Sequence, residues 1–189
     1  NKGEWTKRVV KSAPKARVHS FEIIPTTFSK LTRSLHDQEN VYLRNIGLSN
    51  EKTTVAVSFN EDHDGLSSIV SALQPGGSKS VNCEVIPGDD YCGQYKIGHI
   101  DLLKIDIEGA EHLALEGFTK MLKEGRVDVV QFEYGKSNID THYLLKDFYS
   151  LFESYGYKVG QVMPNQIKFL PYSELNENFL GANYLAVRE

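Results

Sequence analysis

The stretch HIDLLKIDIEGAE, residues 99–111, decides the fold. Ile100, Leu102, Leu103, Ile105 and Ile107 form a short, nearly continuous apolar run, the pattern of a strand buried on both faces of a parallel sheet. The run gives way to Asp106, Glu108 and Glu111, with Gly109 suited to a sharp turn. Ala110, Leu113, Ala114, Gly117, Phe118, Met121 and Leu122 then recur at spacings of three and four, which predicts a helix. Three carboxylates therefore gather where a buried strand ends and a helix begins, the place where open α/β sheets bind ligands. Glu108 and Glu111 also complement the positive end of the helix dipole, a purely structural use. Asp106, still on the strand, has no such explanation and is the first candidate for chemistry.

Upstream, residues 3–13 read as a helix with Trp5, Val9 and Ala13 on one face, and 17–23 as a strand ending near Glu22. Pro25 opens a second helix whose inner face carries Phe28, Leu31 and Leu35, and 40–46 is a further strand. Helix, strand, helix, strand is the alternation of a doubly wound parallel sheet. Residues 53–59 and 81–86 are rich in β-branched residues and predict an antiparallel pair inserted beside that sheet, around polar loops at 60–68 and 74–80. Downstream, Gly125 closes the helix, 127–132 is a buried strand ending at Glu133, and 140–155 is a helix capped by Gly156. Residues 157–162 and 184–187 are the last strands, with Pro164 and Pro171 in the loop between them. The expected fold is one Rossmann-like domain over 1–189: a doubly wound, mostly parallel sheet of about seven strands, helices on both faces and a small antiparallel insertion.

The chain's 189 residues suffice for one substantial core, and 40% hydrophobic with 24% charged residues describes an ordinary globular domain. No run approaches the roughly 18 apolar residues of a spanning helix, and no signal-peptide core opens the chain. Cys83 and Cys92 make neither a disulfide framework nor a zinc site, so a reduced, cytoplasmic setting and no membrane association are expected. The net charge of −4 is uneven: residues 1–35 carry eight Lys/Arg against Glu4 and Glu22, which leaves the remainder strongly acidic. That excess of acid argues against a nucleic-acid partner. The basic end reads as the solvated face of two surface helices.

The strand ends share a property that core packing does not demand. Glu22, Asn45, Asp106 with Glu108, and Glu133 each sit where a strand of the proposed sheet stops. A carboxylate after the second strand can accept hydrogen bonds from both ribose hydroxyls of a nucleoside cofactor, which leaves nicotinamide cofactors and S-adenosylmethionine in play. A dinucleotide brings a diphosphate that wants glycine-rich backbone amides, and no GxGxxG occurs here. S-adenosylmethionine has no phosphate and carries a cationic sulfonium, so a rim of carboxylates favours it.

NKGEW at 1–5, FEIIP at 21–25, NIGLSN at 45–50, DGLSS at 64–68, PGDDY at 87–91, LLKIDIEGAE at 102–111, QFEYG at 131–135 and NYLAV at 183–187 occur in one order along the chain. This series resembles the FkbM-type methyltransferases of the class I S-adenosylmethionine-dependent superfamily. The resemblance implies roles. Asn1 and Gly3 correspond to the tail of the glycine-rich loop passing the methionine part of the cofactor. Glu22 corresponds to the ribose-binding acid, with Ile23 beside the adenine, and Asn45 and Gly47 near the adenine edge. Ser67 and Ser68 fall in the loop covering the cofactor. Asp106 corresponds to the acid facing methyl donor and acceptor, with Glu108 and Glu133 bordering the acceptor pocket. The family's first strand would precede NKGEW, so the expectation is that the natural protein carries residues upstream of Asn1.

The implied reaction is methyl transfer from S-adenosylmethionine to a hydroxyl oxygen of a small molecule or glycan, with Asp106 the leading general base and Glu108 or Glu133 next. A divalent cation held by these carboxylates is an alternative, although the six histidines show no metal-ligand spacing and no metal is expected. His112 could serve as a base but suits a surface or capping role. A non-catalytic nucleoside-binding module and a nicotinamide-dependent oxidoreductase are the rival classes. Residues 60–80 and 163–182, with Tyr172 and Phe179, are expected to shape the acceptor pocket.

Overall fold

The structure, a computed structural model, describes residues 3–59 and 79–189. The chain resolves into two compact units, Asn1–Leu48 with Lys52–Ile86, and Ser49–Glu51 with Pro87–Glu189. Asn1, Ser67, Ser68 and most of the expected loop at 60–80 lie outside the described residues.

The first unit opens with the expected alternation: α1 (Glu4–Ser12), β1 (Val18–Phe21), α2 (Pro25–Ser34) and β2 (Val41–Arg44). β1 and β2 pair in parallel, Val18 opposite Val41 through Phe21 opposite Arg44. Pro25 occupies the first turn of α2, where its missing N–H costs nothing, and Leu31 and Leu35 are buried. In α1 the buried residue is Thr6, bonded at 3.0 Å to the Ser20 hydroxyl, whereas Trp5 remains exposed. β3 (Gly47–Ser49), β4 (Thr53–Phe59) and β5 (Lys79–Pro87) make a three-stranded sheet in the order β3-β5-β4. The antiparallel pair expected from 53–59 and 81–86 is present as β4 and β5, in register from Thr53 opposite Val85 to Phe59 opposite Lys79. Ile24, Val57, Phe59 and Cys83 form its core, with Ile23, Val55 and Val81 packed against them.

The second unit holds α3 (Gly88–Tyr95), β6 (Ile100–Ile105), α4 (Glu111–Gly117), α5 (Thr119–Lys123), β7 (Val127–Gly135), α6 (Ser137–Thr141), α7 (Leu145–Ser154), β8 (Tyr157–Met163), β9 (Gln166–Phe169) and β10 (Leu180–Arg188). Its sheet has the order β6-β7-β10-β8-β9. β6 and β7 are parallel, and β10 is antiparallel to both β7 and β8. β6, β7 and β8 therefore run in one direction, with β10 inserted against them. Phe132 of β7 stacks on Phe148, Phe152 and Tyr184 at 4.6, 5.3 and 5.6 Å, an aromatic core between the sheet and α7.

The α/β class is as expected, but the single sheet of about seven mostly parallel strands is not what the described residues form. They form three sheets, with parallel pairing at β1-β2 and β6-β7 and antiparallel pairing at β4-β5, β7-β10, β8-β10 and β8-β9. The reason in the second unit is β10, which separates β7 from β8 and puts two antiparallel contacts where one parallel contact could form. β6 pairs with β7 alone among the described residues, and Leu102 is 42% exposed, so the strand is not buried on both faces.

The helix expected after β6 is broken in two at Phe118. A Cβ on Gly117 would lie 2.0 Å from the Ser49 carbonyl oxygen, so this turn is set by close backbone approach rather than by helical periodicity. The helix expected over 140–155 begins only at Leu145, because His142 adopts φ +56° and ends α6. α3 and β9 fall where the sequence predicted no regular structure. No helix of the described residues is long and apolar enough to cross a membrane.

Candidate active site

β6 ends at Ile105, and the chain turns sharply through residues 106–110 into α4. Glu108 and Gly109 carry φ of +56° and +105°, the left-handed region that an L side chain enters only against strain. What holds the turn is Glu111. Its carboxylate, 1% exposed, accepts the N–H groups of Ile107 and Gly109, each at 2.8 Å. Burial pushes its pKa up, and those same N–H bonds oppose the rise. Glu111 is thus a positioning residue folded back under the turn, more than a mere complement to the helix dipole.

The turn brings Asp106 and Glu108 to Glu133 of β7, the carboxylate oxygens of all three lying within 4.8 Å of one another. The parallel register, Ile105 opposite Phe132, fixes the meeting of Asp106 and Glu133, the residues just past that pair. Lys104, two residues before Asp106 and so on the same strand face, donates its ammonium to Asp106 Oδ2. Glu133 is half-buried and its pKa is pushed up to about 7. Burial is the main cause, then the charges of Asp106 and Glu108 and a hydrogen bond to Asp106. Glu108 is also raised, by burial and then by Asp106. The Lys104 ammonium lies against Asp106, whereas Glu133 is the acid of the trio that burial raises furthest.

One side of Glu133 is kept open by Gly181. A register shift in β10 between Leu180 and Ala182 brings Gly181, φ +74°, against the acid. A Cβ there would sit 3.1 Å from Glu133 Oε1. The adjoining segment is clasped by Glu177, whose carboxylate accepts the N–H groups of Leu145 at 3.1 Å and Lys146 at 3.0 Å, the Tyr172 hydroxyl at 3.0 Å, and the Tyr134 hydroxyl. Although burial opposes it, these donors hold the Glu177 pKa below its ordinary value. Phe179 packs on the Tyr134 ring at 5.2 Å, next in sequence to Glu133.

His112 stacks on Tyr143 at 4.9 Å and is held neutral chiefly by burial, so it belongs to the packing of the turn. In space, though not along the chain, one histidine does meet acids. His99 Nε2 lies 3.0 Å from Asp128 Oδ2, and Asp101 completes a second trio whose ligand atoms are mutually within 4.8 Å, at the start of β6 and β7. Asp106, Glu108 and Glu133 are equally able to hold a divalent cation, as carboxylate oxygens suit hard metals.

The remaining predicted residues group in the first unit. Glu22 follows β1, half-buried, and its Oε1 accepts the Ile24 N–H at 3.0 Å, which fixes the carboxylate at the strand's C-terminal end. Asn45 donates to the carbonyls of Glu22 and Ile23 at 2.7 and 3.1 Å, tying the ends of β1 and β2 together. Ile23 packs on the Val57–Cys83 cluster, and Gly47 is required there because a Cβ would lie 2.6 Å from Ile23 and 2.9 Å from Val85. Gly3, φ +89°, begins α1 against Leu31 and Leu35. Within the first unit, Glu22 thus offers an oriented carboxylate of the kind that accepts from ribose hydroxyls. Sequence reasoning missed Lys104 and Gly181. The first had a signal, a lysine two places before an acid on one strand face. The second had none, since its role depends on β10 lying beside β7.

Residues 1–159 match the family described as the methyltransferase FkbM domain. "Methyltransferase 1" of Beauveria bassiana (strain ARSEF 2860) is 27% identical over 136 residues, 62% of this chain and 55% of that protein. The chain thus spans about half the length of this relative. The crystal structure of Methyltransferase FkbM from Methylobacillus flagellatus KT is similar with a TM-score of 0.56 at 15% identity, over 97% of this chain and 40% of that one. At that identity the likeness shows the fold.

Proposed function

We propose, for a chain that belongs to the FkbM methyltransferase family, methyl transfer from S-adenosylmethionine to a hydroxyl oxygen of a small-molecule or glycan acceptor. The observation that carries this reading is the trio Asp106, Glu108 and Glu133, with one member poised to exchange a proton near neutral pH. When bound, S-adenosylmethionine supplies an electrophilic methyl group on a cationic sulfur. The protein's own task is to align the acceptor and remove one proton. Glu22 would hold the ribose, Ile23, Asn45 and Gly47 would border the adenine, and Gly3 would pass the methionine part.

Glu133, with its pKa near the working pH, is the better matched general base, and Asp106, oriented by Lys104, holds the acceptor hydroxyl against it. Glu108 adds negative charge that keeps the Glu133 proton available only to a strong enough demand. Gly181 leaves room for the acceptor beside Glu133.

Calorimetry with S-adenosylmethionine and with NAD, each alone, tests the cofactor. Binding of the methyl donor is expected, and tight NAD binding without it overturns the reading. Binding without transfer of a labelled methyl to any component of a metabolite extract would instead favour a non-catalytic nucleoside-binding module. A second reading, favoured by the mutual 4.8 Å approach of the three carboxylates, has them hold a divalent cation that orients the acceptor oxygen. Activity that survives exhaustive chelation rules that cation out and leaves the proton-transfer reading standing.

A further inference from the structure

At the opposite end of β6 and β7 from the carboxylate trio, a cavity of about 270 Å³ opens between the end of α3 and the start of α5. Arg126, which lines it, is seven residues from Glu133 along β7, about 23 Å at the rise of a strand. The cavity is therefore separate from the candidate active site. Three cationic residues line it, Lys96, Lys120 and Arg126, with Asp89 as the one acidic residue. Asp89 is already engaged: its two oxygens accept the N–H groups of Lys120 at 2.7 Å and Met121 at 3.0 Å, capping α5. Arg126 pairs through Nη2 with Glu124, but its Nε is sealed from solvent and makes no hydrogen bond. A guanidinium N–H shut away from water without an acceptor is a group that native structures normally satisfy. Among the described residues neither Lys96 nor Lys120 has an ion-pair partner. The mouth is unobstructed, since a Cβ at Gly93 or Gly98 would meet nothing within 4 Å.

A structural use exists for each part alone: Lys96 caps the negative end of α3, and Lys120 can simply face water. Neither use accounts for three cationic residues lining one concavity whose acid is spent on backbone amides. Oxygen acceptors in a compact anion would meet the two ammonium groups and the guanidinium with charge-assisted hydrogen bonds. The volume sets the size. At about 30 Å³ per water the cavity holds about nine heavy atoms' worth of solvent, more than free phosphate needs and less than most drug-sized pockets.

We propose that this cavity is an anion site that takes the phosphate group of a small phosphorylated molecule, through Lys96, Lys120 and the Arg126 guanidinium. The site is independent of the methyl-transfer reading. Inorganic phosphate and a hexose phosphate share the recognised chemistry, and the test separates them.

Isothermal titration of the full chain with each, at ionic strength matched with chloride, should give saturable one-site binding that weakens with added salt. Tighter binding of the hexose phosphate assigns the rest of the cavity to the organic part. Equal binding assigns the site to the phosphate group alone. Lys120→Gln, on an exposed residue, should weaken binding about tenfold, the loss of one charge-assisted bond. Lys96→Asn, which keeps a residue tolerant of φ +54°, should do the same, and Arg126→Gln at least as much. Glu133→Gln, at the far end of β7, should bind phosphate as the unaltered chain does. Absence of saturable binding for both ligands, or binding that Lys120→Gln and Lys96→Asn leave unchanged, overturns the proposal.

Discussion

Replacing Glu133 by Gln probes the acid trio through stability as well as catalysis, and the sign differs from that of an ordinary surface acid. In the folded chain the Glu133 carboxyl sits at about 7 against an ordinary 4.5, because burial and the charges of Asp106 and Glu108 disfavour its ionised form. A carboxyl raised by folding contributes stability that is fully present below 4.5 and is lost as pH climbs through 7. At 1.36 kcal/mol per pH unit the full effect would be about 3.4 kcal/mol. Glu133 is only half-buried, and solvent screening reduces this to about 1.5 kcal/mol. Gln keeps the shape and can still donate to Asp106, but it has no charge to bury. Glu133→Gln should therefore be close to neutral at pH 5 and stabilising by about 1–2 kcal/mol at pH 8. In urea, with a slope of about 2 kcal/mol per molar, the midpoint gap between variant and parent should widen by about 0.7 M between those two pH values. The same substitution should lower methyl transfer about 10²- to 10⁴-fold, as loss of a general base does. A midpoint gap that stays constant from pH 5 to 8, or that narrows, refutes the raised-pKa account of this site.

Three further substitutions read neighbouring parts of the site. Lys104→Gln removes the cation facing Asp106, so the rising limb of the pH–rate profile should move to higher pH; an unmoved limb would show that the ammonium does not tune the pair. Glu111→Ala leaves the Ile107 and Gly109 N–H groups without their acceptor and should cost about 2–4 kcal/mol in denaturant unfolding, with most activity lost as the turn relaxes. Gly181→Ala puts a Cβ 3.1 Å from Glu133 Oε1 at a positive φ. It should cost about 1–2 kcal/mol by thermal melting, and turnover should fall further than that loss of stability explains.

Where the sequence was legible, local physics and the long-range structure agreed. The first unit's alternation of α1, β1, α2 and β2 follows from helix and strand periodicity with Pro25 at a helix start, and β1 and β2 are parallel as that alternation requires. The β4–β5 pair was readable from β-branched runs alone. Failures came where a distant contact overrode the pattern. The seven apolar positions from Ala110 to Leu122 promise one helix, yet the approach of Ser49 to Gly117 splits it, and nothing near residue 117 reveals Ser49. Leu102 reads as core but stands on a strand with one described neighbour. β9 was hidden by flanking prolines, Pro164 and Pro171, which mark the loop but not the hairpin strand between them.

The acids divide along the same line. Asp106, Glu108 and Glu133 could be marked individually because each ends or follows an apolar run, and an acid there is unnecessary for packing. Their difference in role could not be read that way. Nothing in LLKIDIEGAE says that Glu111 turns inward to hold two backbone amides while Glu108, in a left-handed conformation, meets Asp106 and Glu133. Nothing in QFEYG says that Glu133 is the acid whose pKa is pushed up to about 7. That outcome is set by the cross-strand register of β6 and β7, by Lys104 on the Asp106 side, and by the burial of Glu133 beside β10. Sequence position thus nominates the carboxylates, while the cation and the depth available to each decide which binds and which moves a proton. A chain that kept all three acids but exchanged Lys104 for a neutral residue would keep the motif and lose the asymmetry on which the proposed proton transfer depends.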